Sequence, residues 1–522
     1  MFFSIIPTEG CRMFDLLDSL FWLKIFFASL ALCLFSALLV LNRKVPLTYV
    51  RIHAKIIALP PLAALAALIT ANPGQAGAPW RLDSLAWLIA LFVLTIGFIV
   101  QRYSVRYLFG DRSYRKFFVL LTLTTGGASC AWLNDDLRWL LLCWGITLFG
   151  LTALIGLNSA WQAAKNAALY AGRIFALSWL AIAAAALWLS LATGHWQLSS
   201  ALAEESLVQL SSWEKTGIGL LIILTVMIPA AQWPFHRWLL DSAIAPTPVS
   251  AVMHAGLVNV GGVMLTRFAP MFSGDGLQLI LLVPAVLSVL LGTGMMIVQT
   301  DYKRQLAAST VAQMGFMLVQ CALGAYIAAV IHLILHGLFK AALFLQAGSA
   351  VRRYESSASK RGKPALFWDM IGGVFALTLV IGIWLSAADD GYQLISALVL
   401  GWALFIAWRQ LVTANYGRVT RIAGLFILTG ASLAFAIIHS VLHGLLKEAV
   451  VQGAQPPAMA AVLTAVVLLA GSAAGALIVR QRFAWSGALY LRLVKAGEPH
   501  SESVEERPNY LDQYLTQGGR QS

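Results

Sequence analysis

Charge is scarce in this sequence. Lys, Arg, Asp and Glu together make up 11% of its 522 residues, where a soluble domain carries about 25%. Hydrophobic residues fill 59% of the chain. Apolar runs such as 21–41, 137–157 and 277–298 are each long enough to cross a hydrocarbon core of about 30 Å. Their number excludes a soluble protein with a single anchor. Cysteine is also sparse: Cys11, Cys33, Cys130, Cys143 and Cys321 show no paired spacing and mostly fall inside apolar stretches. That excludes a disulfide framework and a cysteine-based metal cluster. The N-terminus lacks a short apolar segment followed by a cleavage site, so no removable signal is expected.

What charge there is sums to +13, but it is spread over short loops instead of gathered on one basic helix. This fits membrane orientation better than phosphate binding, and no nucleic-acid partner is expected. Counting about 20 apolar residues per crossing gives about fifteen spans, at 21–41, 55–71, 82–101, 117–134, 137–157, 165–192, 216–240, 247–267, 277–299, 303–321, 325–349, 365–387, 393–412, 421–445 and 458–480. The loops test that count. Those after odd-numbered spans hold Arg43, Lys44, Arg102, Arg106, Arg112, Arg115, Lys303, Arg304, Arg352, Arg353, Arg409, Arg418, Arg480 and Arg482 among others. The opposite loops hold Arg81, Arg138, Lys215, Arg267 and Lys447 with the acids Asp135, Asp136, Glu204, Glu205, Asp389 and Asp390. A ratio of roughly five to one predicts a multi-pass protein of the cell inner membrane, N-terminus outside and C-terminus cytoplasmic. From 494 to 522 the chain turns polar and reads as a cytoplasmic tail.

Ionisable side chains at membrane depth are costly and call for a reason. The densest set lies in span 11, in HLILHGLFKAALF: His332, His336 and Lys340. Positions i, i+4 and i+8 fall within about 80° of arc, one stripe on one helix face. Histidine titrates near neutral pH and a buried lysine sheds its proton more readily than a solvated one, so such a stripe can hand a proton along with water between. Metal binding is the weaker reading, since lysine is no zinc ligand. The bland alternative is two histidines bonding between helices with Lys340 snorkelling, but Lys340 lies well inside the apolar run. A second stripe, His439, His443 and Lys447 in HSVLHGLLKEA, matches the first at seven of eleven positions. Lys447 lies near a span end, where snorkelling explains it equally well. Pro229 and Pro234 interrupt span 7 in MIPAAQWPFHRWLLD, and breaks at this depth are tolerated where they line a cavity. His254 follows among Gly256, Gly261 and Gly262, glycines that also permit plain close packing.

At these residues the sequence resembles the proton-conducting, antiporter-like subunits of respiratory complex I and of multisubunit cation/proton antiporters. The likeness is carried by QWPFHRWLLDSAIAPTPVSAVMHAGLVNVGGVMLTRF, QTDYKRQLAASTVAQMGFML and IHLILHGLFKAALFLQAGSAV. It implies an all-α polytopic membrane fold with two inverted five-helix repeats and broken helices. The chain then divides into N-terminal helices over 1–116, a first repeat over 117–268, a second over 269–412, C-terminal helices over 413–493 and the tail. The family's relay positions fall on His254, His332, His336 and Lys340, and its DxKR motif on Asp301, Lys303 and Arg304. Departures mark the first half. The family glutamate after a tryptophan in span 5 is Gly145 after Trp144, the lysine of the broken seventh helix is Pro229, and the aspartate that follows Arg173 is Ala176. The twelfth-span lysine is missing too, where only Asp389 and Asp390 stand, and no long lateral helix follows span 15.

A core kept and an arm lost is similar to the membrane subunits of two-part inorganic-carbon accumulation systems. That resemblance implies a DabA-like, zinc-containing partner similar to β-carbonic anhydrases, zinc in the partner and no cofactor in this chain. It also implies protons, or another cation, running through this subunit to power CO2 hydration. The chain itself is then a transporter subunit and not an enzyme. Two other readings stand beside it: a subunit of an NADH-quinone oxidoreductase or Na+/H+ antiporter complex, and an inert anchor for a soluble enzyme. The missing arm and charges weigh against the first, and the His332/His336/Lys340 stripe against the second.

Overall fold

The computed structural model describes residues 8–70, 76–77, 79–272, 275–347, 366–386, 391–413, 418–451, 453–480 and 484–499. The basic loop at 348–365, the Asp389–Asp390 pair and the tail from 500 lie outside these residues. The described chain is helical throughout apart from a hairpin of β1 (Ala76–Gly77) and β2 (Trp80–Arg81). Helices α1 (Thr8–Leu41), α2 (Tyr49–Ile56), α3 (Leu59–Thr70), α4 (Ser84–Tyr107), α5 (Tyr114–Leu133), α6 (Leu137–Ile155) and α7 (Gln162–Thr193) form the first part. Two short turns, α8 (Leu198–Ala201) and α9 (Glu204–Val208), lead to α10 (Ser212–Met227) and α11 (Arg237–Asp241), then α12 (Thr247–Ala255) and α13 (Val260–Arg267). The second part comprises α14 (Asp275–Val298), α15 (Tyr302–Ala322), α16 (Tyr326–Leu345), α17 (Leu366–Ser386), α18 (Gly391–Trp408), α19 (Arg418–Leu446), α20 (Ala458–Arg480) and α21 (Ala484–Gly497).

Each of the fifteen expected spans coincides with a helix or a broken pair. Eleven are long and apolar enough to cross a membrane on that ground alone. The others are α15, made less apolar by Gln305, Ser309, Thr310, Gln313 and Gln320, the interrupted pair α10/α11, and α17 and α18. The fold is an all-α, multi-pass membrane architecture.

Contacts at the helix ends bear out the alternation. Loops following even-numbered spans gather at one end: Asp135 N donates to Pro79 O, Leu137 N to Trp196 O, and Arg267 pairs with Asp83. Farther round the same end, Gln278 Nε2 donates to Ala454 O at 2.6 Å. Loops following odd-numbered spans meet at the other end, where Arg115 donates to Val40 O, Asn42 O and Val45 O, and Ser113 Oγ to Leu157 O. The two ends therefore carry the acidic and the basic loops respectively. Helix α21 is an addition to the fifteen. It packs on α14 at the basic end, where His236 Nε2 donates to Ala496 O at 3.2 Å and Gln299 Nε2 to Gly497 O at 2.8 Å.

Candidate functional site

Helices α15 and α16 run side by side and face each other with their polar residues. His332 sits against two glutamines of α15: Nδ1 lies 3.0 Å from Gln320 Oε1 and Nε2 3.1 Å from Gln313 Oε1. These oxygens can hold the ring in either charge state, by one donated bond when neutral and two when charged. Gln320 Nε2 continues the line to Tyr392 Oη at the start of α18, at 2.5 Å. Gln313 is exposed and His332 half-buried, so the line is open at this level. One turn on, the His336 ring centroid is 5.9 Å from that of His332, and its Nε2 is buried without a partner.

Lys340, one further turn along, is 2% exposed. Its Nζ donates to Leu306 O at 2.9 Å and to Ser309 Oγ. The Thr310 hydroxyl donates to the same Leu306 oxygen, and its Oγ1 stands 3.0 Å from His254 Nδ1. The His254 ring is stacked on Phe344 at 4.2 Å. None of the ion pairs among the described residues involves these groups. The arrangement is a line of titratable and hydroxyl groups, linked at each step by a hydrogen bond or one helical turn, running most of the way between the two ends. Such a line can pass protons. Among the described residues no three His, Cys, Asp or Glu converge on a metal position.

The other sequence candidates fall in three places. Lys303 Nζ donates to Ala243 O and Ala245 O at 3.1 and 2.7 Å, at the basic end of the same line. Asp301 caps α15, its carboxylate accepting from Arg304 N at 2.8 Å, a structural duty for the acid of the motif. Pro229 and Pro234 do sit in a break. Helix α10 ends at Met227 and α11 starts at Arg237, and freed backbone groups are taken up by side chains, Ile228 O by Trp238 Nε1 at 2.8 Å and Trp233 N by Ser288 Oγ at 3.0 Å. His439 and His443 stack at 6.0 Å on α19, His439 half-buried and His443 exposed, with Lys447 exposed beyond them; none of the three joins the α15/α16 line.

At the altered first half, a Cβ on Gly145 would stand 2.9 Å from Trp179 Nε1, an indole anchored by its bond to Leu141 O. The room for an acid there is filled. Arg173 points out of the bundle, exposed. Sequence reasoning missed Ser309, Thr310, Gln313, Gln320 and Tyr392. Gln313 and Gln320, seven apart on one face of α15, were the available signal.

Fold and line together define a membrane subunit of antiporter-like build. Residues 134–421 match the NADH:quinone oxidoreductase/Mrp antiporter transmembrane family, and residues 69–118 the N-terminus of complex I chain 5. The chain belongs to this family, and within it to the group of DabB subunits. It is 56% identical over 497 residues to a Bacillus subtilis protein named as an inorganic carbon transporter subunit, DabB, covering 95% of this chain and 98% of that one. A Bacillus anthracis protein of the same name is 53% identical over 498 residues, with the same coverage of both chains. Subunit 5 of the NAD(P)H-quinone oxidoreductase of the Paulinella chromatophora organelle is 31% identical, over 58% of this chain and 46% of that one. The Mrp complex of Dietzia shares the fold, with a TM-score of 0.63 at 22% identity, over 95% of this chain and 59% of that one.

Proposed function

We propose that this chain is the cation-conducting membrane subunit of an inorganic-carbon accumulation complex, and that the cation is the proton. The observation that carries the reading is Lys340, buried in the α15/α16 interface without a carboxylate and joined through Leu306 O and Thr310 to His254 on one side and by helical turns to His336 and His332 on the other. An ammonium is kept at such depth only where it is used. The acidic end, with Tyr392, Gln320 and Gln313, is the outer mouth of the path, and Lys303 at the basic end marks the cytoplasmic side of the inner membrane. The coupled chemistry belongs to a DabA-like partner, whose zinc would hydrate CO2, while this chain lets the ion run down its gradient to power that step. The names of the Bacillus relatives support the carbon assignment over the oxidoreductase one, as do the near-complete lengths matched.

The test is bicarbonate uptake in cells that make this chain with its partner. Lys340→Ala abolishes gradient-driven uptake while the complex still co-purifies, and a protonophore does the same to the unaltered complex. Full uptake by the variant removes Lys340 from the path. Uptake that survives the protonophore and fails with a sodium ionophore replaces the proton by Na+.

A further inference from the structure

The N-terminal helices hold another buried histidine. His53 of α2 is fully enclosed. Its Nδ1 lies 3.0 Å from Ser36 Oγ on α1, and that oxygen is 3.1 Å from Tyr49 Oη at the basic end. Across the ring, Nε2 is 3.3 Å from Thr122 Oγ1 on α5, which also receives Gln101 Nε2 at 3.2 Å. Thr122 gives its own hydrogen to Phe118 O at 2.8 Å, so toward both neighbours it is an acceptor. His53 therefore carries its hydrogen on Nε2 and accepts on Nδ1 from Ser36. Tyr49, Ser36, His53 and Thr122 form one directional row of donors.

One turn along α5 from Thr122, Thr125 lines a cavity of about 40 Å³ with Thr124, Thr147, Trp144 and Asn259. A water needs about 10–15 Å³ of such space and a few polar partners. Trp144 Nε1 and Asn259 Oδ1, on residues only 2% exposed, are a donor and an acceptor without partners. Leu333 of α16, one turn from His336, closes another wall. A Cβ on Gly337 would stand 3.2 Å from Asn259 Nδ2, which places the amide between the cavity and the middle of the stripe. His336 Nε2, likewise unpartnered, lies one residue away.

We propose that the Tyr49–Ser36–His53–Thr122 row and the hydrated cavity beyond it form a second proton entrance, running from the basic end to His336. It rests on the relay reading above and takes the place of the acid and lysine that the first half lacks. A proton delivered through Ser36 binds His53 Nδ1, and the one on Nε2 leaves to Thr122. The Thr122 hydroxyl then swings from Phe118 O and passes its own proton to water in the cavity, and Asn259 holds the last water beside His336. No net charge stays behind.

The experiment uses the chain with its partner in proteoliposomes and reads proton flux with an internal pH dye, alongside hydroxyl-radical footprinting of Trp144. His53→Gln keeps a donor and an acceptor but cannot take up a proton, and Ala128→Leu fills the cavity that Ala128 lines. Flux from the basic end falls by at least about half in both, the remainder passing by Lys303, Trp144 is labelled in the unaltered protein, and Ala128→Leu protects it. Normal flux in His53→Gln overturns the entrance, and so does an unlabelled Trp144 in the unaltered protein. Lys340→Ala in the same vesicles keeps the two readings apart: if it stops flux while His53→Gln does not, the relay stands and the entrance falls. If Lys340→Ala and His53→Gln combined leave flux intact, the relay itself fails.

Discussion

Replacing Lys340 by methionine separates what a buried charge costs from what it does. Methionine follows the same unbranched path through the α15/α16 interface and removes only the ammonium. The acceptors left behind are not orphaned: Leu306 O keeps Ser309 Oγ and Thr310 Oγ1, each at 2.9 Å, and Ser309 keeps its donated bond. The usual penalty of about 1–3 kcal/mol for stranding a buried partner is therefore absent. Against it stands the recovered cost of holding a charge inside a span, at most the roughly 2.5–3.5 kcal/mol of a lysine at a helix centre, since Lys340 lies five residues before the end of α16. Lys340→Met is expected to be as stable as the unaltered protein or more stable by about 1–3 kcal/mol, read as an unchanged or raised thermal midpoint in detergent. In a His53→Gln background, which closes the row that meets the stripe at His336, proton flux falls at least tenfold, because no group between His336 and Thr310 then takes up a proton. A lowered midpoint would refute the ledger, by showing that the ammonium holds the helices together. Flux at the unaltered rate would refute the path.

Two further outcomes follow from the ends of the helices. Arg267, 4% exposed, is the main partner of Asp83, so Arg267→Ala leaves that carboxylate with only Arg81 and the Ala86 N–H as partners and costs about 1–3 kcal/mol of stability, seen as a lower thermal midpoint. Burial alone raises the Asp83 carboxyl, but the charge and hydrogen bonds of Arg267, with help from Arg81, hold it below its ordinary range. Its stabilisation is complete above about pH 4 and is lost as pH falls through the depressed value; a midpoint flat in that acid range would contradict this. His439→Leu with His443→Leu leaves flux within about twofold, since neither ring touches the α15/α16 line; a larger loss in the same vesicles would bring α19 into the path.

The spans were legible because lipid imposes length and apolarity on a crossing, and the charge of the loops recorded which end each belongs to. The break in span 7 was legible from Pro229 and Pro234. Helix α21 was not: AWSGALYLRLVKAG is short, mixed in polarity, and stabilised by what it docks on. The titratable members of the site were legible because a histidine or lysine inside a span is rare. Ser309, Thr310, Gln313 and Gln320 were not, since neutral polar residues are common on helices and gain meaning only from the neighbour opposite. His53 escaped for a related reason. It falls before the span expected at 55–71, between Arg51 and Lys55, where it reads as a loop residue, and its row is assembled from α1, α2, α4 and α5, which no sequence spacing displays.

The last turn of α21 is closed by side chains from elsewhere: His236, in the interruption of span 7, and Gln299, at the foot of α14, hold its final carbonyls. The chain beyond 497 is thus tied to a crossing that is interrupted between Met227 and Arg237. A tug on that stretch is delivered as torque at the Met227–Arg237 gap instead of being absorbed by a stiff helix. Whatever grips the chain there holds a lever into the bilayer, and so does a bulky fusion joined at that point.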